Sequence, residues 1–307
     1  MRILTVFTGG TIGSSRVEGA ISPKAENAFL LLNLFNEKYG AAAFDTVAPY
    51  TILSENMDAG HLNNLRSCVE ENLGKGYGGI IVTHGTDTLQ YSAAYLDLAL
   101  GLTEVPVVLV SSNYPLSDSR ANGLANFAAA VEFIRSGKGR GVFVSYLNSG
   151  DDAAAIHRGA EVLPHQPYDD KIFSLFNNVY GRVKDGRFEK NPAYRERERA
   201  GLGCSELSGR VLFLRPYVGM TYPDIPDDAK AVLLEGWHSG TLPTAHSELR
   251  EFCKKARARG VPLYLTGSQD GFVYESKLAF GSMGIEVLPP MSPIAAYFRL
   301  WLSVGGN

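Results

Sequence analysis

The chain has 307 residues, of which 45% are hydrophobic and 20% charged, a composition typical of a protein that buries a core. This length suits about two domains of ~150 residues each. The formal net charge of −3 leaves no surplus of cations to neutralise a phosphate backbone, so nucleic acid is not expected as the main partner.

The cysteines, histidines and apolar runs exclude further classes of protein. Three cysteines stand far apart with no CxxC pair, which argues against a disulfide framework and favours a reducing compartment. The six histidines lack metal-ligand spacing, so we expect no metal. The opening run, Ile3 to Phe7, is too short for a signal-peptide core, and no run is long enough to span a bilayer. We therefore expect a cytoplasmic protein that makes no membrane contact.

The first predicted strand, Ile3 to Phe7, ends in Thr8-Gly9-Gly10-Thr11. Glycines lack Cβ, so the backbone can turn sharply here and approach a ligand, with the Thr11 hydroxyl at the mouth of the sheet. Neither GxGxxG nor GxxxxGK[ST] is present, which disfavours a phosphate loop. A plain strand-exit turn is the alternative for this segment taken alone.

The next segments repeat the layout of strand, polar residues and helix. A polar loop (16–24) and a helix (26–39) precede an apolar strand that begins at Thr51 and ends at Ser54 and Glu55. The following helix has Leu62, Leu65, Val69 and Leu73 on one face. The polar pair could be an ordinary loop, but it is another set of polar side chains at the end of a strand.

The stretch Ile80 to Gln90 carries the strongest indication of chemistry. A short apolar run gives way to Thr83-His84-Gly85-Thr86-Asp87-Thr88 and then to a helical pattern ending near Leu100. In open α/β sheets, ligands bind at the carboxyl ends of the strands, where Thr86 and Asp87 are predicted to lie. The alternative is that Asp87 is only the N-cap of the helix, with Gln90 as its capping-box partner.

The remaining pattern predicts two α/β domains, the larger N-terminal one built on a mainly parallel sheet flanked by helices, the C-terminal one smaller. In the first, strands at 107–111 and 141–146 flank a helix from Leu124 to Ile134, and a hairpin or extended loop follows between 148 and 188.

The charged, glycine-containing segment near 194–203 is typical of a linker. The predicted boundaries are 1–190 for the first domain, 191–208 for the linker and 209–307 for the second. In the second, we predict strands at 211–214, 231–234, 263–266 and 285–288, with helices around 249–256 and at 292–304.

Several motifs together resemble the bacterial-type L-asparaginase/glutaminase family. They are Thr8-Gly9-Gly10-Thr11-Ile12, Ser54, His84-Gly85-Thr86-Asp87-Thr88 and, in the second domain, Glu235-Gly236-Trp237-His238-Ser239-Gly240-Thr241. The likeness covers nearly the whole chain and is weakest from about 148 to 205 and near the carboxyl terminus. It implies an amidohydrolase that works without metal or cofactor and assembles as a homodimer or homotetramer.

The resemblance also implies a role for each matching residue. Thr11 would attack the side-chain carboxamide, and Thr86 would face it across the substrate. Asp87 would bind the α-ammonium group, with Ser54 and Glu55 holding the amino-acid head. The expected substrate contacts are Gly10, Ser54, Glu55, Gly85 and Ser112, the last through its backbone. A threonine hydroxyl is a weak nucleophile without a base or relay, and backbone N–H groups of a Gly-Gly-Thr turn could stabilise the oxyanion.

The sequence departs from the family pattern in three places. Pro164 stands where the family has its catalytic lysine, so a histidine, His157 or His165, is the chemically possible substitute. The segment 16–24 lacks the tyrosine of the family's mobile loop. Glu55 replaces a neutral polar residue and adds negative charge, which could favour a substrate with an additional cation.

Three functions are compatible with these residues. The leading one is hydrolysis of L-asparagine, or of a related small amide, to aspartate and ammonia through a threonine nucleophile. The second is a catalytically weak relative that binds an amino acid or amide. The third is an amidase component that supplies ammonia for transamidation of charged tRNA, which the lack of basic excess and of an extra partner-binding domain disfavours.

Overall fold

A computed structural model describes residues 1–10, 12, 14–17, 20–23, 26–197, 207, 209–268 and 273–304, of which 14–17, 20–23 and 26–28 are described by their backbone alone. The chain divides into two compact units, Met1–Gly203 and Cys204–Asn307. Part of the predicted linker lies outside the described residues, and its boundaries stay predictions. No helix among the described residues is long and apolar enough to cross a membrane.

The first unit is built on an eight-stranded sheet. The strands are β1 (Arg2–Phe7), β4 (Ala43–Val47), β5 (Gly79–Thr83), β6 (Val107–Val110), β7 (Val142–Tyr146), β8 (Ala154–Arg158), β9 (Gly181–Lys184) and β10 (Arg187–Lys190). Their order in the sheet is β10-β9-β8-β7-β6-β5-β1-β4. Strands β4, β1, β5, β6 and β7 pair in parallel, whereas β8, β9 and β10 continue the sheet antiparallel.

Helices cover the central strands on both faces, as predicted. They are α1 (Glu26–Tyr39), α2 (Ala59–Leu73), α3 (Leu89–Leu100) and α4 (Gly123–Arg135). On one face, α1 and α4 pack with Ile81, Val108 and Phe143 in one apolar cluster. The alternate residues Ile80 and Leu109 are also fully buried, which explains why these strands are continuously apolar in sequence.

The predicted strand at Thr51 is wrong. Ile52 makes only an isolated parallel bridge with Gly9, and a short 3₁₀ helix, Ser54–Asn56, follows. The edge strand is instead β4, whose side chains are half-buried or exposed, so its pattern lacks the apolar run of a central strand. The polar loop predicted at 16–24 contains most of an antiparallel pair, β2 (Ser14–Val17) and β3 (Ala20–Pro23).

The hairpin or extended loop predicted for 148–188 consists of β8 to β10 with a long excursion between β8 and β9. At its base, Val162 bridges Ser174 and the Leu163 N–H donates to the Phe173 carbonyl at 2.9 Å. Both polar groups of the Ile172 backbone bond to the Asn148 side chain, at 2.8 and 3.1 Å. Residues 164–171 between these anchors are named the tip loop.

The second unit has a four-stranded parallel sheet. The bounds of its elements are β11 (Arg210–Leu214), β12 (Ala229–Glu235), α5 (Ser247–Ala258), β13 (Leu263–Thr266), α6 (Glu275–Leu278), α7 (Phe280–Met283), β14 (Ile285–Val287) and α8 (Pro293–Val304). The strand order is β11-β12-β13-β14. Helices α5 and α7 pack on one face, and α8 packs on the other. The predicted strands are confirmed to within two residues.

Candidate active site

The carboxyl ends of β1 and β5 lie side by side because these strands pair in parallel, with Phe7 opposite Thr83. Beyond the last pair, the Thr8 hydroxyl donates to the Thr83 carbonyl at 2.7 Å. The Gly10 N–H donates to the Ile52 carbonyl at 3.0 Å. The three segments that carry predicted site residues therefore meet at one edge of the sheet.

Gly10 and Gly85 are in direct backbone contact at this edge. A Cβ on Gly10 would lie 2.3 Å from the Gly85 nitrogen, and Gly10 has a φ of +72°. A Cβ on Gly85 would lie 2.3 Å from the Ser54 Oγ. Each position requires glycine because the other turn, or Ser54, occupies the space of a side chain.

Ser54 links the turn after β5 to the segment after Ile52. Its hydroxyl donates to Asp87 Oδ2 at 3.4 Å, and its carbonyl accepts from the Thr88 hydroxyl at 2.8 Å. Ser54 is buried and Asp87 is exposed. Gly10, Ser54, Gly85 and Asp87, four of the predicted site residues, thus form one continuous cluster.

The alternative interpretation of Asp87 as a helix cap is wrong. Helix α3 begins at Leu89 with Thr88 as its N-cap. Gln90 donates to the Asp87 carbonyl at 3.0 Å, while the Asp87 carboxylate accepts from Ser54. The carboxylate therefore faces the candidate site and does not close the amino end of α3.

The side chain of His84 bridges the turn after β5 to helix α3. It is fully buried, with Nδ1 at 2.8 Å from the Gly85 carbonyl and Nε2 at 2.8 Å from the Ser92 hydroxyl. A carbonyl oxygen only accepts, so Nδ1 carries the proton and Nε2 accepts from Ser92. Burial lowers the pKa of His84 to about 4, so the ring is neutral at ordinary pH and serves as a fixed support.

Thr11 lies outside the described residues, so its role as nucleophile and its distance from Thr86 stay predictions. Its neighbour Ile12 is buried, 1% exposed, in the apolar cluster under the sheet.

Thr86 and Asp87 open onto a cavity of about 680 Å³. The turn after β6 and the tip loop supply its other walls. It is lined by Thr86, Asp87, Asn113, Tyr114, His165, Gln166, Pro167, Tyr168, Asp169 and Asp170. A cavity of this size at the carboxyl end of a wound sheet is the expected place for a small-molecule site.

The two histidines proposed as substitutes for the family lysine differ in position. His157, on β8, is 1% exposed, with Nδ1 at 2.8 Å from the Ser174 hydroxyl. His165 lines the cavity together with Thr86, and its Nε2 is buried without a hydrogen-bond partner among the described residues. Only His165 of the two shares a cavity with the candidate threonine.

Ser112 and Glu55 do not line this cavity. The Ser112 hydroxyl donates to the Tyr114 carbonyl at 2.6 Å and accepts from the Gly123 N–H at 3.1 Å, so it shapes the turn after β6. Glu55 is exposed in the short helix after Leu53. Their predicted substrate contacts stay predictions.

Sequence reasoning missed Asn113, Tyr114 and most of the tip loop. Asn113 and Tyr114 directly follow β6, so the rule that identified Thr86 could have found them. The tip loop comes from a stretch with weak periodicity and gave no such signal. The described residues contain no cluster of His, Cys, Asp and Glu suited to a metal ion.

Comparisons with known proteins agree with this geometry. A family model described as Asparaginase, N-terminal matches residues 2–190. One component of the glutamyl-tRNA(Gln) amidotransferase of Sulfolobus acidocaldarius is 28% identical over 97% of this chain and 70% of its own length.

Two solved structures share the fold across the whole chain. The thermostable L-asparaginase from Thermococcus kodakarensis has a TM-score of 0.77 at 23% identity, covering 100% of this chain and 94% of its own. A probable cytoplasmic L-asparaginase from Campylobacter jejuni has a TM-score of 0.77 at 21% identity, covering 100% and 95%. The family match over residues 2–190 and the shared fold agree. The chain belongs to the asparaginase family and is an asparaginase-like amidohydrolase.

Proposed function

We propose that this enzyme hydrolyses the side-chain carboxamide of L-asparagine, or of a related small amide, to the carboxylic acid and ammonia through a threonine nucleophile. The observation that carries the proposal is the junction of Gly10, Ser54, Gly85 and Asp87 at the carboxyl edge of the sheet, beside a cavity that Thr86 and Asp87 line. This is the place where a wound α/β fold presents reactive side chains.

In the proposed reaction, the Thr11 hydroxyl adds to the amide carbonyl carbon and passes its proton to the departing nitrogen by way of a base. The C–N bond breaks, ammonia leaves, and water then hydrolyses the resulting ester. Backbone N–H groups of the turns after β1 and β5 are proposed to stabilise the oxyanion, apart from the Gly10 N–H, which is bonded to the Ile52 carbonyl at 3.0 Å. His165 is our candidate for the base, because it shares the cavity with Thr86 while His157 is bonded to Ser174.

Asp87 is proposed to bind the α-ammonium group of the substrate. Its carboxylate is exposed and is oriented by the Ser54 hydroxyl at 3.4 Å. A carboxylate that lines a cavity and accepts from a buried hydroxyl is suited to hold a cation in a fixed direction.

A second candidate is release of ammonia from glutamine for transfer to a charged tRNA. The likeness to an amidotransferase component over 97% of this chain supports it, and the net charge of −3 gives it no electrostatic support. The binding protein without turnover is the third candidate.

We further propose a homodimer or homotetramer, as the family resemblance implies. The second unit exposes apolar side chains that a partner copy could cover, among them Val218 at 93% and Leu278 at 73% exposure.

The test is ammonia release from asparagine, glutamine and a panel of small amides by wild type, Thr11→Ala and Thr86→Ala. We expect release by wild type and a loss of about 10³-fold or more in either variant, since members of one catalytic unit are not replaceable individually. Thr86→Ser, which keeps a hydroxyl, is the matched control and should retain more activity than Thr86→Ala. Turnover that survives Thr11→Ala contradicts the proposed nucleophile, and a bound amide without turnover supports the binding role.

A further inference from the structure

Among the described residues, the cavity that holds Thr86 is lined by three carboxylates and by no lysine or arginine. Asp87 comes from the turn after β5, and Asp169 and Asp170 come from the tip loop. Two different segments of the chain therefore contribute acidic residues to the lining of the same cavity.

Of the two cations nearest in sequence to this lining, Arg120 is engaged elsewhere and Lys171 is not among the lining residues. Arg120 lies over the Tyr114 ring at 4.0 Å and pairs with Asp118 at 2.8 Å. Lys171 has an exposed side chain, and it is its backbone N–H that donates to Asp169 Oδ1, at 3.0 Å. Among the ion pairs of the described residues, none involves the three carboxylates of the cavity.

Aromatic rings accompany the carboxylates. Tyr114 lines the cavity, and its ring already faces one cation, Arg120, at 4.0 Å. Tyr168 lines the cavity beside Asp169 and its side chain is fully exposed, at 110%. Carboxylates together with aromatic faces are the groups that recognise an organic cation in proteins.

We propose that the site prefers an amide of net positive charge, one that keeps an ammonium group but carries no free carboxylate, and that Asp169 and Asp170 determine this specificity. The inference rests on the proposed amide hydrolysis and names its substrate class. A free α-carboxylate would enter a space with three negative charges and no lysine or arginine in the described lining. Masking that carboxylate as an ester or amide removes the repulsion while leaving the ammonium group to Asp87.

The experiment, run at about pH 6 so that both α-amino groups are protonated, compares L-asparagine, a zwitterion, with L-asparagine methyl ester, which has the same ammonium and side-chain amide but a net charge of +1. We expect kcat/KM for side-chain ammonia release to favour the ester by about tenfold or more, the scale of one or two Coulomb contacts near a protein surface. The double variant Asp169→Asn/Asp170→Asn should reduce that ratio by about tenfold. Because both compounds are measured on each variant, a general loss of activity leaves the ratio unchanged.

Asp185→Asn is the matched control. It removes one negative charge, against two in the double variant, in the turn between β9 and β10, outside the cavity, at a residue with φ of +49° where asparagine is tolerated. Its ratio should equal that of wild type.

Calorimetric binding of the same two compounds separates this inference from the proposed function. If no amide is turned over, but the ester binds more tightly and the double variant removes that preference, hydrolysis is wrong and the charge selection stands. If turnover or binding occurs with equal or higher preference for asparagine, or with a ratio that the double variant does not change, the charge selection is wrong.

Discussion

Gly10 and Gly85 lie where the turn after β1 contacts the turn after β5, backbone against backbone. The contact fixes how closely β1 and β5 bring their following residues together, and Ser54 packs against it from the third segment. Because Ser54 also donates to Asp87, the position of that carboxylate depends on a space that only glycine leaves open.

Replacing Gly85 with alanine should therefore disturb the site. The added Cβ would lie 2.3 Å from Ser54 Oγ and 2.7 Å from Ser54 Cβ, so Ser54 must move and its bond to Asp87 is lost. We expect a loss of unfolding free energy of about 1–3 kcal/mol, measured by urea denaturation, and a clear fall in kcat/KM. Gly74→Ala, where no atom lies within 4 Å of the added Cβ, is the control; an equal loss in both variants contradicts the argument.

At the scale of elements, the tip loop reaches the cavity from a different part of the sheet. It is fixed at its base by the bonds between residues 162–163 and 173–174 and, at the adjacent residue, by Asn148, which binds both polar groups of the Ile172 backbone. A side chain after β7 thus anchors the carboxyl end of the loop that carries Asp169 and Asp170.

Asn148→Ala should loosen the tip loop while leaving the turns after β1 and β5 intact. Loss of two hydrogen bonds costs about 2 kcal/mol of unfolding free energy, and because binding must then order the loop, we expect KM to rise about fivefold, with a fall in kcat as well because the candidate base His165 belongs to the same loop. Steady-state kinetics with the preferred amide measure both constants.

Asn191→Ala serves as its control. The Asn191 amide also bonds to the backbone on both sides, at Val179 and Ala193, with distances of 2.9 Å, but it lies outside the cavity lining. It should lose comparable stability with an unchanged KM. A rise in KM in this variant as well would show that general loosening, and not the tip loop, is responsible.

At the scale of the whole molecule, buried titratable groups make stability depend on pH in opposing directions. Burial lowers the pKa of His157 from 6.5 to about 4, so the unfolded chain takes up a proton below pH 6.5 that the folded chain refuses. Burial raises the pKa of Glu161 from 4.5 to about 7, so the folded chain holds a proton that the unfolded chain has released. Acid therefore weakens the fold through His157, whereas rising pH weakens it through Glu161.

Variants at these two residues should change the pH profile in opposite directions. Between pH 7 and pH 5, His157 alone is expected to lower the unfolding free energy of wild type by about 2 kcal/mol. His157→Gln removes that loss, so its stability should fall less on acidification than that of wild type. Glu161→Gln removes the compensating gain, so its stability should fall more. Denaturation at pH 7, 6 and 5 tests both, and parallel profiles for the three proteins contradict the assignment.

The sequence predicted most of this fold because central strands and their helices have strong apolar periodicity, and the parallel order follows from strand–helix alternation. It did not predict β4, because a half-buried edge strand such as Ala43–Val47 has no apolar run. Gly10, Ser54, Gly85 and Asp87 were predicted as site residues because they match motifs of the asparaginase family, and each also follows or flanks an apolar segment, a local feature. The tip loop was not, since residues 164–171 reach the cavity through long-range anchors such as Asn148, which leave no periodic pattern.

The segment between β8 and β9, which carries the tip loop, is a place where homologues can differ in substrate preference. Thr86 and Asp87 belong to the turn after β5, which contacts the Gly10 backbone, whereas the candidate base His165 and the carboxylates Asp169 and Asp170 belong to a segment joined to the scaffold at its two ends. Homologues can therefore differ in that segment, and with it in the preferred ligand, as long as the segment still supplies a base where His165 stands. We expect grafts between residues 162 and 174 to transfer selectivity from one relative to another more readily than any single substitution near Thr86.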